Sequence, residues 1–226
     1  MGAHSDVSVE SVRLAELFVS IQGEGVSVGL PSVFVRLQGC TVCVWCDTKY
    51  SWDSSHGRAL SLDALLDDVR RAGPDNVIVT GGEPLEHPAF VPLIQGLKAH
   101  GHRVEVETAG AECPPVVDVD QWNVSLKLKH SGVPEPRRLR PPAIERLREL
   151  GAWFKFVVGE ERDVDEVLAI QRRFGLPSAR ILLMPLGMRR EEQQARMPDV
   201  VDWCRRHGFR FTPRLQILVW GPKRGV

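Results

Sequence analysis

The chain has 226 residues, of which 43% are hydrophobic and 26% are charged, and its 29 basic residues balance 29 acidic ones. Zero net charge argues against bulk electrostatic binding to nucleic acid or to an anionic membrane. No apolar run approaches the roughly 20 residues of a membrane span, and the first residues lack the basic and apolar segments of a signal peptide. The five cysteines are odd in number and three are clustered, unlike a disulfide framework, so we expect a cytoplasmic protein.

Apolar segments that are typical of strands alternate with amphipathic segments along the chain. The predicted strands cover residues 13–20, 32–39, 76–80, 103–108, 122–128, 153–159, 180–185 and 209–213. The predicted helices cover residues 61–73, 88–101, 141–151, 163–175 and 198–208, and each ends at a glycine. This alternation predicts an α/β fold with a mainly parallel sheet. We expect one domain over residues 1–226, with a loosely ordered extension at 1–12 and a surface loop at 129–142.

The polar signatures of the sequence follow the predicted strands at their carboxyl ends. In chain order they are a cysteine cluster at 40–46, the stretch TGGEP at 80–84, Glu107, the pair Ser125 and Lys127, and Met184 with Pro185. In parallel α/β sheets and barrels this edge is where ligands and chemistry gather. The convergence of these residues therefore predicts one functional site.

Cys40, Cys43 and Cys46 have the spacing C-x2-C-x2-C. They could be small core residues, although three cysteines in a loop that follows a glycine are unusual for a core. A zinc site would need a fourth ligand from elsewhere in the chain, and no second C-x2-C pair exists. In ferredoxins this spacing supplies three ligands of one four-iron cluster. Three thiolates would leave one iron open to a reactant, so the spacing favours a 4Fe-4S cluster.

The stretch TGGEP, residues 80–84, offers two glycines whose amides can approach a ligand closely. Glu83 adds a carboxylate that could accept a hydrogen bond from an amine. The alternative is a tight turn before a helix that starts near Pro88. Only in combination with the cysteine triad does this stretch indicate a cofactor site.

The triad and the GGEP turn together resemble the radical S-adenosylmethionine superfamily. That resemblance implies an open iron that binds the methionine end of S-adenosylmethionine and a 5′-deoxyadenosyl radical that takes hydrogen from the substrate. The stretches LFVSIQGEGVSVGLPSVFVRLQGC, WCDTKYSW and RLQILVWGPKRGV resemble, more narrowly, the 7-carboxy-7-deazaguanine synthase family. This family converts 6-carboxy-5,6,7,8-tetrahydropterin into 7-carboxy-7-deazaguanine with loss of ammonia, in the biosynthesis of queuosine and other 7-deazapurines. The resemblance runs from about Leu14 to the C-terminus.

The resemblance implies a role for particular residues. For substrate binding these are Ile21, Gln22, Gly23, Glu24, Arg36, Thr80 and Val226. For S-adenosylmethionine they are Gly82, Glu83, Ser125, Lys127, Met184, Pro185, Leu186 and Gly187. Thr48 matches a Mg²⁺ ligand, and Mg²⁺ typically takes few protein ligands. Arg36 is suited to meet the pterin carboxylate with a bidentate fork.

The resemblance also implies the architecture and the partners. The expected fold is an incomplete TIM-like barrel with a mainly parallel sheet, the radical S-adenosylmethionine core. The expected assembly is a homodimer, reduced by an electron donor such as flavodoxin or ferredoxin. The expected substrate is a free small molecule, with no nucleic acid and no membrane as partner.

The spacing of the cysteine triad departs from the family pattern and keeps alternatives open. The family usually has C-x3-C-x2-C, and one residue fewer shortens the loop by up to about 3.5 Å. Gln216 also stands where many relatives have histidine and Pro222 where asparagine is common, but neither change removes a residue with an implied chemical role. One alternative is a radical enzyme that activates a protein, which would give Arg36 and the IQGEG stretch no role. The other is a non-catalytic relative that binds pterin or a metal such as zinc.

Overall fold

The computed structural model describes residues 11–41, 49–53 and 55–226. The β-strands of this part are Val12–Ile21 (β1), Pro31–Leu37 (β2), Arg58–Leu60 (β3), Asn76–Gly81 (β4), Arg103–Thr108 (β5), Gln121–Ser125 (β6), Trp153–Val158 (β7), Ile181–Pro185 (β8) and Arg210–Phe211 (β9). The α-helices are Leu62–Ala72 (α1), Phe90–Ala99 (α2), Glu135–Arg138 (α3), Pro141–Glu149 (α4), Glu161–Phe174 (α5), Arg190–His207 (α6) and Leu215–Trp220 (α7). None of the helices in these ranges is long and apolar enough to cross a membrane.

All of these strands join one sheet in the order β3-β1-β2-β4-β5-β6-β7-β8-β9. Neighbouring strands from β2 to β9 are parallel, which confirms the predicted α/β fold with a mainly parallel sheet. In contrast, β1 pairs antiparallel with both β2 and β3. An antiparallel pair needs only a short turn, and residues 22–30 provide it between β1 and β2.

The sheet curves into an open barrel. Between β1 and β7 the sheet passes through β2, β4, β5 and β6, which would separate the two strands by about 24 Å in a flat sheet. Lys155 on β7 nevertheless forms an ion pair with Glu24, which follows β1. The sheet must therefore bend round its own interior. Within the described ranges β3 and β9 remain separate edges, so the predicted incomplete barrel is confirmed.

The strand register sets which inward-facing side chains lie side by side. Arg36 on β2 pairs with Thr80 on β4, and Ser125 on β6 pairs with Lys155 on β7. Successive residues of a strand point to opposite faces of the sheet, so Val79, next to Thr80, belongs to the hydrophobic core that the helices cover. Polar residues thereby collect inside the barrel at the carboxyl ends of its strands.

Helix α1 shows how local sequence sets the ends of an element. The hydroxyl of Ser61, the N-cap residue, accepts a hydrogen bond from the backbone N–H of Ala64 at 3.2 Å. Gly73 follows the helix with a φ of 104°, a conformation that glycine adopts readily. Leu65 and Val69 are fully buried on the inner face. Capping and hydrophobic spacing together therefore suffice to locate this helix.

Several elements differ from the prediction. Helix α6 begins at Arg190 and contains Pro198 in its interior, although proline is typical of a first helical turn and we expected the start there. The true start carries Glu192, whose Oε2 accepts hydrogen bonds from the N–H groups of Met188 and Arg189. The short elements β3, α3 and α7 were missed because they are too short for a periodic pattern, and α3 lies in the predicted loop at 129–142. Val12 is fully buried in β1, although we expected the loosely ordered extension to include it.

Candidate active site

A cavity of about 810 Å³ opens at the carboxyl ends of the parallel strands. Among the predicted site residues it is lined by Ile21, Gln22, Gly23, Glu24, Arg36, Cys40, Thr80, Gly82, Ser125, Lys127, Met184, Pro185, Leu186, Gly187 and Val226. The predicted ligands Cys43, Cys46 and Thr48 lie outside the described residues. Ligand cavities typically measure about 300–1,000 Å³, so this one can hold a sizeable ligand. Apart from Glu83, the structure thus brings the described residues of three predicted subsites into one space.

The two glycines of the TGGEP turn allow close packing of backbones. A Cβ atom at Gly82 would overlap the carbonyl oxygen of Gly39, and one at Gly81, whose φ is 144°, would overlap that of Leu37. The N–H of Gly82 donates to the Leu37 carbonyl at 3.0 Å, so this amide is engaged within the protein and is not free for a ligand. The turn after β4 is thereby fixed against the segment that leads into Cys40.

Glu83 stands behind the cavity wall and does not line the cavity. Its carboxylate accepts hydrogen bonds from the Thr108 hydroxyl at 2.7 Å, from the Ala109 N–H at 2.8 Å and from the Leu85 N–H at 3.3 Å. Burial raises the pKa of Glu83 to about 6, although these donors act in the opposite direction. The carboxylate therefore braces the turn after β4 against the end of β5, and its predicted contact with S-adenosylmethionine stays a prediction.

At one end of the cavity four side chains form the Glu16 cluster, which consists of Glu16, Arg36, Tyr50 and Arg224. Arg36 donates through Nε to Glu16 at 3.1 Å, and the Tyr50 hydroxyl donates to Glu16 at 2.7 Å. Burial would raise the pKa of Glu16, but hydrogen bonds from Tyr50 and Arg224 and the charge of Arg36 lower it. Burial also raises the pKa of Tyr50 to about 12, so its hydroxyl stays protonated. The predicted carboxylate anchor Arg36 is thus already held along one edge.

Farther along the wall the cavity offers acceptors beside an apolar surface. The Gln22 amide and the Thr80 hydroxyl each donate to the Glu107 carboxylate at 3.1 Å. A carboxylate has about four acceptor positions, so two donors leave capacity for a ligand. Phe18 and Phe34 line the same cavity, with ring centroids 4.9 Å apart and planes 5° apart. Acceptors beside an aromatic wall suit a planar heterocycle that carries N–H groups.

The same cavity is also lined by the Glu24 cluster, which consists of Glu24, Lys155, Arg214 and Gln216. Glu24 pairs with Lys155 and also accepts from Arg214 Nε at 3.0 Å and from Gln216 Nε2 at 2.8 Å. The three charged side chains are only 12–14% exposed. Burial would raise the pKa of Glu24, but the charges of Lys155 and Arg214 lower it. Three protein donors thus occupy the carboxylate that we expected to bind substrate.

Six of the predicted S-adenosylmethionine residues line the cavity from the ends of β6 and β8. Lys127 Nζ donates to the Ser125 hydroxyl at 3.2 Å. The stretch Met184–Gly187 is held from α6 by Gln193, a fully buried side chain that sequence reasoning missed. Its amide donates to the carbonyls of Pro185 and Gly187, each at 2.8 Å. Gln193 thereby fixes the backbone of a predicted cofactor-binding segment.

Sequence reasoning also missed several charged residues that line the cavity, among them Glu16, Lys155, Arg214 and Arg224. Lys155 is a lone cation in the apolar strand WFKFVV, which is the same pattern that identified Arg36 in SVFVRL. It could therefore have been found. Arg214 and Arg224 have partners 190 and 208 residues away, so no local pattern marks them.

The fold and the site together define a class of protein. A family model described as the radical SAM superfamily matches residues 37–212, which is more than half of the chain. The matched range contains the Cys40 loop, the glycine turn after β4 and the Met184–Gly187 stretch. The open parallel barrel described above is thus a radical SAM fold.

Similar proteins narrow this class. A 7-carboxy-7-deazaguanine synthase from Pyrobaculum aerophilum is 42% identical over 95% of this chain and 97% of that protein. One from Hyperthermus butylicus is 36% identical over 93% of this chain and 94% of that protein. The crystal structure of QueE from Escherichia coli matches with a TM-score of 0.71 at 28% identity, over 90% of this chain and 93% of that one. The chain therefore belongs to the 7-carboxy-7-deazaguanine synthase family.

Proposed function

We propose that this protein contracts the ring of 6-carboxy-5,6,7,8-tetrahydropterin to give 7-carboxy-7-deazaguanine, with loss of ammonia, in the biosynthesis of queuosine or related 7-deazapurines. The observation that carries the proposal is the meeting of Cys40, Arg36 and Glu107 in one cavity. The chain in which they meet is 42% identical to a named synthase over 95% of its length. A cluster ligand, a carboxylate anchor and a hydrogen-bond acceptor are the groups that this reaction requires together.

The polar groups of the cavity complement the pterin. Arg36 provides a guanidinium for its carboxylate, through charge-assisted hydrogen bonds. Glu107, supported by Gln22 and Thr80, provides acceptors for N–H groups of the ring. Ile21, Gly23 and Val226 line the same cavity and complete the proposed substrate subsite. Glu24 acts in this proposal by holding the segment Gln22–Gly23 in place, because protein donors occupy its carboxylate.

Cys40, Cys43 and Cys46 would hold a 4Fe-4S cluster, and Gly82, Ser125, Lys127 and the stretch Met184–Gly187 would hold S-adenosylmethionine. When bound, these groups supply the radical that takes a hydrogen atom from the substrate. The residues present fit them, because Ser125 and Lys127 are polar and Met184 and Leu186 are apolar. An adenosyl group with a charged amino-acid end needs both kinds of surface. The chain itself orients the reactants and keeps water away from them.

The remaining partners follow from the family resemblance. We infer a Mg²⁺ ion at Thr48, completed by water and substrate oxygens. We also infer a homodimer, a single domain over residues 1–226, and reduction by flavodoxin or ferredoxin. The zero net charge agrees with a free small molecule as substrate in place of a nucleic acid.

The proposed activity is tested by a product assay. Anaerobically reconstituted protein receives reductant, S-adenosylmethionine, Mg²⁺ and 6-carboxytetrahydropterin, and mass spectrometry detects 7-carboxy-7-deazaguanine. We expect product from the wild type and none from Cys43→Ala. Arg36→Ala should raise KM for the pterin by roughly 10- to 100-fold, because a charge-assisted hydrogen bond to the carboxylate is lost. Arg36→Lys keeps the charge but loses the bidentate geometry, so its KM for the pterin should lie between those of the wild type and Arg36→Ala.

Each competing function gives a different result in the same assay. A radical enzyme that activates a protein would cleave S-adenosylmethionine, form no deazaguanine and be indifferent to Arg36→Ala. A metal-binding relative would contain zinc and no iron after anaerobic purification. A fully loaded cluster with no product from the wild type would overturn the proposal.

A further inference from the structure

The carboxylate of Glu16 joins three segments that are far apart in the chain. Its Oε2 accepts from Arg36 Nε on β2 at 3.1 Å and from the Tyr50 hydroxyl, which follows the cysteine loop, at 2.7 Å. Its Oε1 accepts from Arg224 Nε at 3.1 Å and from Arg224 Nη2 at 2.7 Å. These four hydrogen bonds use the acceptor capacity of the carboxylate. Glu16 is therefore placed to orient other residues and not to receive a ligand.

The contact with Glu16 fixes how Arg36 is presented to the cavity. Arg36 uses its Nε edge for Glu16, and both side chains are about one-sixth exposed. Within the part of the chain that the structure describes, the terminal nitrogens of Arg36 make no hydrogen bond. A guanidinium held by one edge offers the other edge as a fork for a carboxylate.

Arg224 connects the same carboxylate to residues 222–226, which we name the C-terminal strap. All five residues of the strap line the cavity. The Arg224 guanidinium lies 3.5 Å from the centroid of the Tyr50 ring, within the range of a cation–π contact. Its side chain is 59% exposed, whereas that of Glu16 is 17% exposed. The strap is thus held through the exposed side chain of Arg224, which binds the largely buried carboxylate of Glu16 in the cavity wall.

We propose that Glu16 is a positioning residue that aligns Arg36 for the substrate carboxylate and, through Arg224, holds the C-terminal strap over the bound substrate. The inference rests on the proposed function for the identity of that carboxylate. Glu16 then links the binding of the substrate carboxylate by Arg36 to the position of the C-terminal strap over the cavity.

The first test is a double-mutant cycle on the reconstituted holoenzyme with Glu16→Gln, Arg224→Ala and the double variant. Arg224→Ala should raise KM for 6-carboxytetrahydropterin about tenfold, which corresponds to about 1.4 kcal/mol, with kcat changed less than twofold. Glu16→Gln should raise KM by at least as much, because it also releases Arg36. The KM of the double variant should equal that of Glu16→Gln, since Arg224 acts through Glu16. Effects that multiply would overturn the coupling.

The second test follows hydrogen exchange of residues 215–226 and does not depend on turnover. Arg224→Ala should exchange about tenfold faster than the wild type in the ligand-free protein, and Arg224→Lys should recover part of the protection. Equal exchange in wild type and Arg224→Ala would contradict a pinned strap, whatever the substrate proves to be. The matched control is Arg58→Ala, which breaks the similarly exposed pair with Asp68 and should leave both KM and strap exchange unchanged. A wild type that forms no product but shows this exchange pattern would refute only the proposed function.

Discussion

Two buried glutamates near the cavity have opposite pKa shifts because their partners differ. Glu24 lies between β1 and β7, where Lys155 and Arg214 surround it. Glu83 lies beneath the ends of β4 and β5, where the Thr108 hydroxyl and backbone amides are its donors. Burial by itself raises the pKa of both carboxyl groups. The two cations lower the pKa of Glu24 nevertheless, whereas burial prevails at Glu83 and raises its pKa to about 6.

The difference teaches that the charge of a partner, more than the degree of burial, decides the state of a carboxyl group. The Glu24 region is an ionic clamp across the open side of the barrel, so it should fail when a cation is removed. The Glu83 region is a hydrogen-bonded brace without a cation among its described donors, so it should respond to pH. The following variants separate these two behaviours.

The largest effect is expected from Lys155→Met. Removing one partner leaves Glu24 buried without its nearest cation, and breaking a buried ion pair typically costs about 3–5 kcal/mol. We expect a loss of about 3 kcal/mol in the free energy of unfolding, because Arg214 remains in place, measured by anaerobic urea denaturation at pH 7. The double variant Lys155→Met with Glu24→Gln should recover more than half of the lost free energy of unfolding. Lys98→Met, which breaks a more exposed pair with Asp120, should cost about 1 kcal/mol or less.

Glu83→Gln should change how stability depends on pH. The pKa of Glu83 is about 6 in the folded protein against 4.5 in the unfolded chain, so its contribution is complete below pH 4.5. As pH rises to about 6, the unfolded chain loses its proton first, and about 2 kcal/mol of stability is lost. The difference in unfolding free energy between wild type and Glu83→Gln should therefore fall by about 2 kcal/mol from pH 4 to pH 7. A difference that rises with pH would show that the fold lowers the pKa of Glu83 below its unfolded value, and it would contradict the prediction.

The smallest effect is expected from Thr108→Val, which removes one donor to Glu83 and nearly preserves the shape of the side chain. The Thr108 hydroxyl donates to Glu83 and also accepts from the Gly110 N–H, so two hydrogen bonds are lost and the free energy of unfolding should fall by about 1–2 kcal/mol at pH 7. The same variant should raise the pKa of Glu83 further, because one group that stabilises its charged form is gone. Thr108→Ser keeps the hydroxyl and should match the wild type. A Thr108→Val protein with wild-type stability would mean that the brace contributes nothing.

The sequence predicted the parallel strands and the helices between them well, but it predicted the short elements β3 and α7 and the start of α6 poorly. The strand that became β4 is a continuous apolar run that ends in glycines, a pattern typical of a strand buried on both faces. Likewise, the spacing and cap of α1 were sufficient to find it. By contrast, β3 and α7 are three and six residues long, and neither contains enough residues to show a period. The interior proline of α6 imitated a helix start and moved the predicted boundary.

The sequence by itself determined which chemistry the site can contain. Cys40, Arg36 and Thr80 each follow or end an apolar strand, and parallel strands necessarily present such residues at one edge. Only the tertiary structure decided which charges meet. Glu24 reaches Lys155 across 131 residues and Glu16 reaches Arg224 across 208, because the sheet curves and the C-terminal segment returns over its open side. Spacing along a chain contains no information about such contacts, since they depend on the closure of the barrel and not on any local period.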